Sequence, residues 1–403
     1  MSSTLLRILE VEPANNEPFI DGYDEAIDRA LDAVRLHGAQ ALKVKVATRK
    51  VHQRLAEKGL TSVSLKRYPD YAVFDALIQR MNELRNEDPQ QMLLYALMAV
   101  HTSRQMTDYP DAVQADLRAR ALAECANALR ISDRLHEASE QLDLAERWYA
   151  AGTQDTALGL RLKDVRASLY ASQEHYEDAI ELLEEVFQGR LKLGDLRGAA
   201  KALVGKGLFT NYAGRSEEAF GLFDRSLELI DPDREPELRA STLHNKILAM
   251  VDAGRPEEAL RFLDENRHEL ALGRINHVRL LGVEARISAS RGCFKTAEHL
   301  LRRATQEFVA VDMPGHEALA TLDLANVVLR QDRSRYSEAV TLATAALRIF
   351  SQLKVRPQVE EALNILLDAI QEGLVTATLL ESVADFIRKA DYNRRARYQP
   401  RFE

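Results

Sequence analysis

The segment "YAGRSEEAFGLF" fills residues 212–223 and "DAGRPEEALRFL" fills residues 252–263, so one phrase is written twice, 40 residues apart. Its central small residue extends into a series, Ala138, Ala179, Ala219, Ala259, Ala297 and Ala339, with spacings of 41, 40, 40, 38 and 42. A fixed period of this kind is the mark of a repeat array. One supersecondary unit cannot bury its apolar face alone and stacks on copies of itself.

Each copy reads as an amphipathic helix, a tight break and a second amphipathic helix. Gly214, Gly254 and Gly292 stand in the breaks, where a left-handed backbone closes a helix. Ser216 is placed to cap the next helix, and Pro256 suits a first turn, where its missing N–H costs nothing. Glu177–Asp178, Glu217–Glu218 and Glu257–Glu258 put negative charge at the positive end of the helix dipole. The alanine lets two helices approach. Larger side chains four residues on (Leu142, Leu183, Phe223, Leu263 and Leu301) share its face and fill the gap.

The bulk composition agrees. A single compact body of 403 residues would ordinarily split into domains, whereas an array grows along one axis. Apolar residues make up 46% and charged residues 29%, the balance of a folded chain, and the net charge is −8. Aromatic residues are only 6%, with Ala and Leu abundant, which favours helices. The apolar run "MLLYALMAV" at 92–100 falls far short of the roughly 18–20 residues a membrane span needs. The opening "MSSTLLRILEVEPANNE" lacks a basic start before an apolar stretch, so no secretory signal is expected. Cys125 and Cys293 stand far apart without CxxC partners, which argues against a disulfide framework or zinc site and fits a reducing cytoplasm. Both are expected to be small core residues.

The pattern of glycine, four residues, alanine, then a large apolar residue four on resembles the tetratricopeptide repeat (TPR). "AGRSEEAFGLF" and "AGRPEEALRFL" are close to that family's central phrase, and the likeness covers roughly 115–355. The period of about 40 exceeds the family's 34, which implies helices nearly a turn longer. The break in "RQDRSRYSEAV" carries about two extra residues. The expected fold is therefore all-α, with no run of period-two alternation: a right-handed superhelical solenoid of antiparallel helix pairs with helical caps. Three regions are expected: an N-terminal helical region at 1–113, six hairpins at 114–355, and capping helices with a basic tail at 356–403. Residues 23–59 read as helical. "YAVFDALIQRMNELRNED" and "PQQMLLYALMAVHTSRQM" read as a further pair, and 357–372 and 374–390 as two terminal helices. "IDPDREPEL", with Pro232 and Pro236, reads as a loop.

No nucleotide-binding loop, HExxH, GxSxG or paired metal-ligand spacing occurs, and "GKG" at 205–207 lies inside a helix. The chain is therefore expected to be non-enzymatic and to need no cofactor or metal. The resemblance implies that the first helix of each hairpin lines a concave groove. Carried over position by position, the groove residues are Arg120, Asn127 and Arg130; Arg161; Lys201 and Asn211; His244 and Asn245; and Arg279 and Arg286. Asn245 falls where such domains place an asparagine that bonds a ligand's backbone. Most of the charges are positive, with Glu124, Asp164 and Asp252 as partial offsets.

One register breaks the family pattern. Where an apolar residue is usual, this chain has Arg166, Lys206, Lys246 and Glu284, with Asp323 nearby in the sixth hairpin. Buried charge destabilises unless paired. These residues either pair across neighbouring hairpins or form a charged ladder that selects a partner. Two basic stretches also stay open. Residues 41–67 hold eight Lys/Arg and one Glu; the tail "RKADYNRRARYQPRFE" holds six Lys/Arg with Tyr392, Tyr398 and Phe402. Each is a solvated or frayed segment, or else a docking arm.

The leading expectation is a scaffold or adaptor whose groove takes an extended or helical, acidic segment of another protein through charge-assisted hydrogen bonds. The alternative is a peptide-responsive or nucleic-acid-linked bacterial regulator that uses the basic stretches. A third is a subunit that self-associates through Trp148 and its terminal helices. The regulator alternative has a direct check: its binding to a short DNA or RNA duplex falls steeply as salt is raised, and absence of binding at low salt removes it.

Overall fold

The computed structural model describes residues 38–59, 68, 70–84, 88–132, 134–271, 273–311, 313–353 and 357–390. They form α-helices and no strand. Two compact units are distinguished, residues 38–170 with 177–202, and residues 171–176 with 203–390. The tail after 390 and the residues before 38 lie outside the described residues, as does most of 59–67.

In the first unit, α1 (Gly38–Lys58), α2 (Asp70–Glu83), α3 (Pro89–Gln105), α4 (Asp111–Ile131) and α5 (Leu135–Ala150) each pack on the next. Then come α6 (Thr156–Ser172), α7 (Tyr176–Lys192) and α8 (Leu196–Tyr212), whose later part belongs to the second unit. The basic stretch is helical as far as Lys58. Val51 and Leu55 are buried on α1, while Lys45, Arg49, Lys50 and Arg54 lie on its exposed side. Trp148 is half-buried, with the Arg118 guanidinium 4.6 Å from its ring centroid.

The second unit continues with α9 (Ser216–Leu229), α10 (Pro236–Asp252), α11 (Pro256–Leu270), α12 (Gly273–Ser290), α13 (Phe294–Ala310), α14 (Pro314–Gln331), α15 (Tyr336–Gln352), α16 (Pro357–Glu372) and α17 (Ala377–Ala390). From α9 onward each helix packs on its successor. First helices also meet: α10 packs directly on α12, and α17 reaches back to α14. The terminal pair thereby covers the sixth hairpin, with Leu379, Leu380 and Val383 buried in one core with Leu322, Ala325 and Phe350. This is the cap an array needs.

The repeated phrase sits at the hairpin crossings. All six alanines of the series are at most 1% exposed. The residues four on are equally enclosed, with Phe223 and Leu263 fully buried and Ala343 taking the place in the sixth hairpin. Each Phe or Leu buried there contributes about 1.5–3 kcal/mol relative to exposure.

The breaks are more economical than the sequence suggests. Gly214, Gly254 and Gly292 have φ of 82°, 74° and 74°. In each case the next residue donates its N–H five residues back: Arg215 to the Thr210 carbonyl, Arg255 to Met250 and Cys293 to Ser288. The same residue then opens the following helix, its carbonyl accepting from Ala219, Ala259 and Ala297 respectively. One residue thus closes one helix and starts the next. Three expectations change as a result. Ser216 is the first helical residue; Arg215 holds the capping position, with no side-chain cap. Cys293 occupies the matching place and is exposed rather than in the core, whereas Cys125 is buried. Pro236 opens α10 instead of lying in the loop, while Pro232 remains in the turn. The sixth break, residues 332–335, is one residue longer than its counterparts and turns as a 3₁₀ helix at Arg333–Arg335.

Neighbouring hairpins are also tied along this edge. Arg255 bonds Glu217 and Arg291 bonds Glu257, each at 2.8 Å. The densest tie joins α13 to the start of α15. Arg335 donates from both terminal nitrogens to Glu298 at 2.8 Å, Arg302 adds a third bond at 2.8 Å, and both arginines also pair with Glu338. Hydrogen bonds from Arg335 and Arg302 pull the Glu298 carboxyl down to about 2 from its ordinary 4.5. A carboxylate depressed in the folded state stabilises fully above its unfolded value, and the contribution fades as pH falls through about 4.5 towards about 2. Urea unfolding at a series of pH values is therefore expected to show stability lost in that window, and Glu298→Gln to flatten the loss there while lowering stability at neutral pH.

Candidate functional site

In the second unit the first helices of successive hairpins present one face to a common hollow. The spacing dictates this, because residues three, four and seven apart share a helix face. On α12 the face carries Arg279, Gly282, Val283 and Arg286. On α14 the same register carries His316, Leu319, Ala320 and Asp323. Helix α10 contributes His244, Asn245, Leu248 and Asp252, and α8 contributes Asn211 and Tyr212. Helix α17 closes the end with Asp385 and Arg388. The hollow has two recesses that share Leu248, Arg286 and Arg388.

Its polar wall is organised round carboxylates. Asp252 accepts from Asn211 Nδ2 at 3.0 Å and from Arg286 Nη2 at 3.1 Å, so one side chain of α10 ties α8 and α12 together. Arg388 donates to Asp385 at 2.6 Å and also bonds Asp323 on α14. Burial alone would favour a neutral guanidine; Asp323 and Asp385 overcome it and raise its pKa. His244 stands where burial, then Arg279, then Arg286 push its pKa down to about 3, so it is neutral at physiological pH.

Two asparagines in the smaller recess keep unused capacity. Asn245 is 5% exposed, and its Nδ2 meets no acceptor. Asn211 spends its Nδ2 on Asp252, while its buried Oδ1 meets no donor. An unpaired buried polar atom costs about 1–3 kcal/mol.

The larger recess is mainly apolar, with Leu248, Val283, Leu301, Phe308 and Leu319 among its walls. Phe308 and His316 stack at 5.2 Å between ring centroids at its side. Gly282 stands mid-helix, where glycine costs about 0.5–1 kcal/mol against alanine. A Cβ there would find no heavy atom within 4 Å. Gly207 on α8 differs: a Cβ would strike the Phe223 ring at 2.8 Å, so packing explains it.

The remaining anticipated groove residues lie elsewhere. In the first unit, Arg161 grips Glu124 with two bonds of 3.0 and 2.8 Å and reaches Asp164 at 2.7 Å. Arg130 donates to Asn127 at 3.1 Å. Arg120 is buried 3.6 Å from Asp75, with the Phe74 ring beneath it. Lys201 is half-buried on α8. In the off-pattern register, Arg166 pairs backward with Asp143 and Glu146 of α5. Lys246 pairs with Asp224 of α9 and lies over Phe262, and Glu284 pairs with Arg267 of α11. These three each meet the second helix of the preceding hairpin. Lys206 is half-buried on α8. Asp323 faces the hollow and holds Arg388. Arg388, expected to begin the basic tail, is instead a buried residue of α17. Sequence reasoning missed Arg388, Asp385 and Gly282. The first two come from a capping helix outside the repeat register, but Gly282 was legible as a mid-helix glycine with no break to serve.

No family model matches the chain, and no curated protein does. Among solved structures it is similar to a Rap protein complexed with competence and sporulation factor, at 13% identity over 80% of this chain and 88% of that one, with a TM-score of 0.57. It is also similar to BtubC (BKLC) from P. vanneervenii, at 17% identity over 56% and 92% of the two chains and a TM-score of 0.44. A Podosopora anserina putative kinesin light chain with nearly identical TPR-like repeats gives 18% identity over 49% and 94%, with a TM-score of 0.38. At 13% identity the Rap protein shares the fold of this chain. The chain is a TPR-like helical repeat protein. Among the described residues no group of His, Cys, Asp or Glu could hold a metal ion, and no helix is long and apolar enough to cross a membrane.

The two glycines give opposite expectations. Gly207→Ala should lower the melting temperature, because the Phe223 ring must move. Gly282→Ala should raise stability by about 0.5–1 kcal/mol, because only the backbone preference changes. Thermal unfolding of the two variants checks both signs.

Proposed function

We propose that the second unit's wall of α8, α10, α12, α14 and α17 binds an extended peptide segment of another protein, without catalysis. The observation that carries this reading is the pair of asparagines. Asn245 offers an unused N–H and Asn211 an unused carbonyl oxygen in one recess. A peptide unit supplies the complement, one carbonyl and one N–H. Binding would satisfy both buried atoms, and no side-chain sequence in the ligand is needed for it. The Rap protein, similar in fold, was solved in complex with competence and sporulation factor, which supports a bound ligand for this fold.

The acidic preference rests on one end of the hollow. Arg286 and Arg388 are engaged by Asp252, Asp323 and Asp385, so the wall as a whole is near balance. Around His244 the wall carries Arg279 and Arg286 with only Asp252 shown against Arg286. A carboxylate of the peptide fits there, because its charge is stabilised by those guanidinium groups.

Asn245→Ala tests the reading. Removing an amide that makes no bond through its nitrogen should leave the melting temperature close to that of the parent chain. Affinity for a groove-binding peptide should fall about tenfold, the weight of one buried hydrogen bond. Isothermal titration with peptides recovered from a random synthetic pool gives the measurement. Unchanged affinity at unchanged stability would remove Asn245 from the site.

A further inference from the structure

We propose that the recess over Gly282 is a selectivity pocket that takes one large apolar side chain, leucine-sized or aromatic, from the peptide held by Asn211 and Asn245; it rests on the peptide reading above. The walls say what the occupant is. Leu248, Val283 and Leu319 are buried hydrophobic residues, and Phe308 offers an aromatic side. Polar groups stand at the edges, with Arg279 and His244 on one side and Asp323 and Arg388 on the other.

Gly282 says how close the occupant comes. Three other glycines inside long helices have a packing cause. Gly159 lies against the Tyr149 ring, Gly189 against Leu160 and Gly207 against Phe223, each with a built Cβ nearer than 3.0 Å to a side chain. Gly282 has no such neighbour, although it lies on the half-buried face of α12 that lines the recess. Gly221 also has none, but it is an exposed residue of α9 and lines neither recess. A helix interior that gives up its Cβ over an open apolar recess leaves room for a side chain to lie directly on the backbone.

Position and charge fix the source. The recess adjoins the asparagine pair through Leu248 and Arg286, which line both hollows. A peptide whose amide is held by Asn211 and Asn245 therefore has a neighbouring side chain at the mouth of the Gly282 recess. The Arg279 guanidinium lines the same recess and suits a carboxylate close by. The favoured ligand is a short peptide with a large apolar residue next to an acidic group.

The experiment incubates the full chain with a random synthetic hexapeptide pool, separates bound from free by gel filtration, and reads residue enrichment by mass spectrometry. The expected result is enrichment of Leu, Ile, Phe or Trp at one position by about tenfold or more, the factor that burying such a side chain confers, with Asp or Glu enriched beside it. Gly282→Leu fills the recess and should abolish the apolar enrichment, while its melting temperature stays at or above the parent value. Gly221→Leu, where a Cβ is equally unobstructed, should leave the profile unchanged. If peptides are captured in an Asn245-dependent way but show no apolar position, or the same one in Gly282→Leu, the pocket is refuted and the groove stands. If no peptide is captured, the groove reading fails and the pocket with it. If Gly282→Leu unfolds, Gly282→Met and Gly282→Val take its place, and an unaltered profile in a folded variant overturns the proposal.

Discussion

Everything in this chain depends on how few residues separate the two helices of a hairpin. At Gly214, Gly254 and Gly292 the backbone turns left-handed, and the following residue ends one hydrogen-bond ladder while beginning another. With the crossing fixed, Ala219, Ala259 and Ala297 are fully buried in the helix–helix contact. The side chains four residues on then fill the only remaining volume. Stacking the first helices places their 3-4-7 stripes next to one another. The hollow in the second unit is the outcome of that stacking rather than a feature added to it.

Charge follows the same geometry. A first helix has one flank towards the preceding hairpin and one face towards the hollow. Arg166, Lys246 and Glu284 lie on the flank and meet Asp143, Asp224 and Arg267 of the helix behind. Pairs of that kind, part-exposed on one side, contribute at most about 1 kcal/mol each. Their visible role is registration, since each links a hairpin to its predecessor by one specific partner. Asp252 and Asp323 lie on the other face. They hold Arg286 and Arg388, and those pairs line the hollow. The same residue types thus serve two different ends, decided on α10 by about 120° of rotation round the helix axis between Lys246 and Asp252.

How much of this was legible in the sequence varies by level. The alanine series and the glycine breaks gave the hairpins almost residue by residue, because local chemistry decides them. Asn211, His244, Asn245, Arg279 and Arg286 line the two recesses because their register repeats. Arg388 and Asp385 were hidden, since α17 follows no repeat and its packing on α14 is a long-range event. Cys293 and Ser216 were misjudged in opposite directions. Cys293 holds the capping position outside the helix and Ser216 its first turn, because the backbone, not a side chain, does the capping. The partners of Arg161 were not legible, because Glu124 lies 37 residues away.

The two kinds of connection in the array are unequal. Within the third, fourth and fifth hairpins the link between helices is three residues long (213–215, 253–255 and 291–293), and its hydrogen bonds leave no slack. Between hairpins the links at 151–155, 193–195 and 230–235 hold five, three and six residues. Most of the drift in repeat length is therefore absorbed in the links between hairpins, the sixth break adding one residue of its own. Extra chain can enter at those links without disturbing any helix crossing, so they are the natural ports for lengthening, fusing or re-spacing modules.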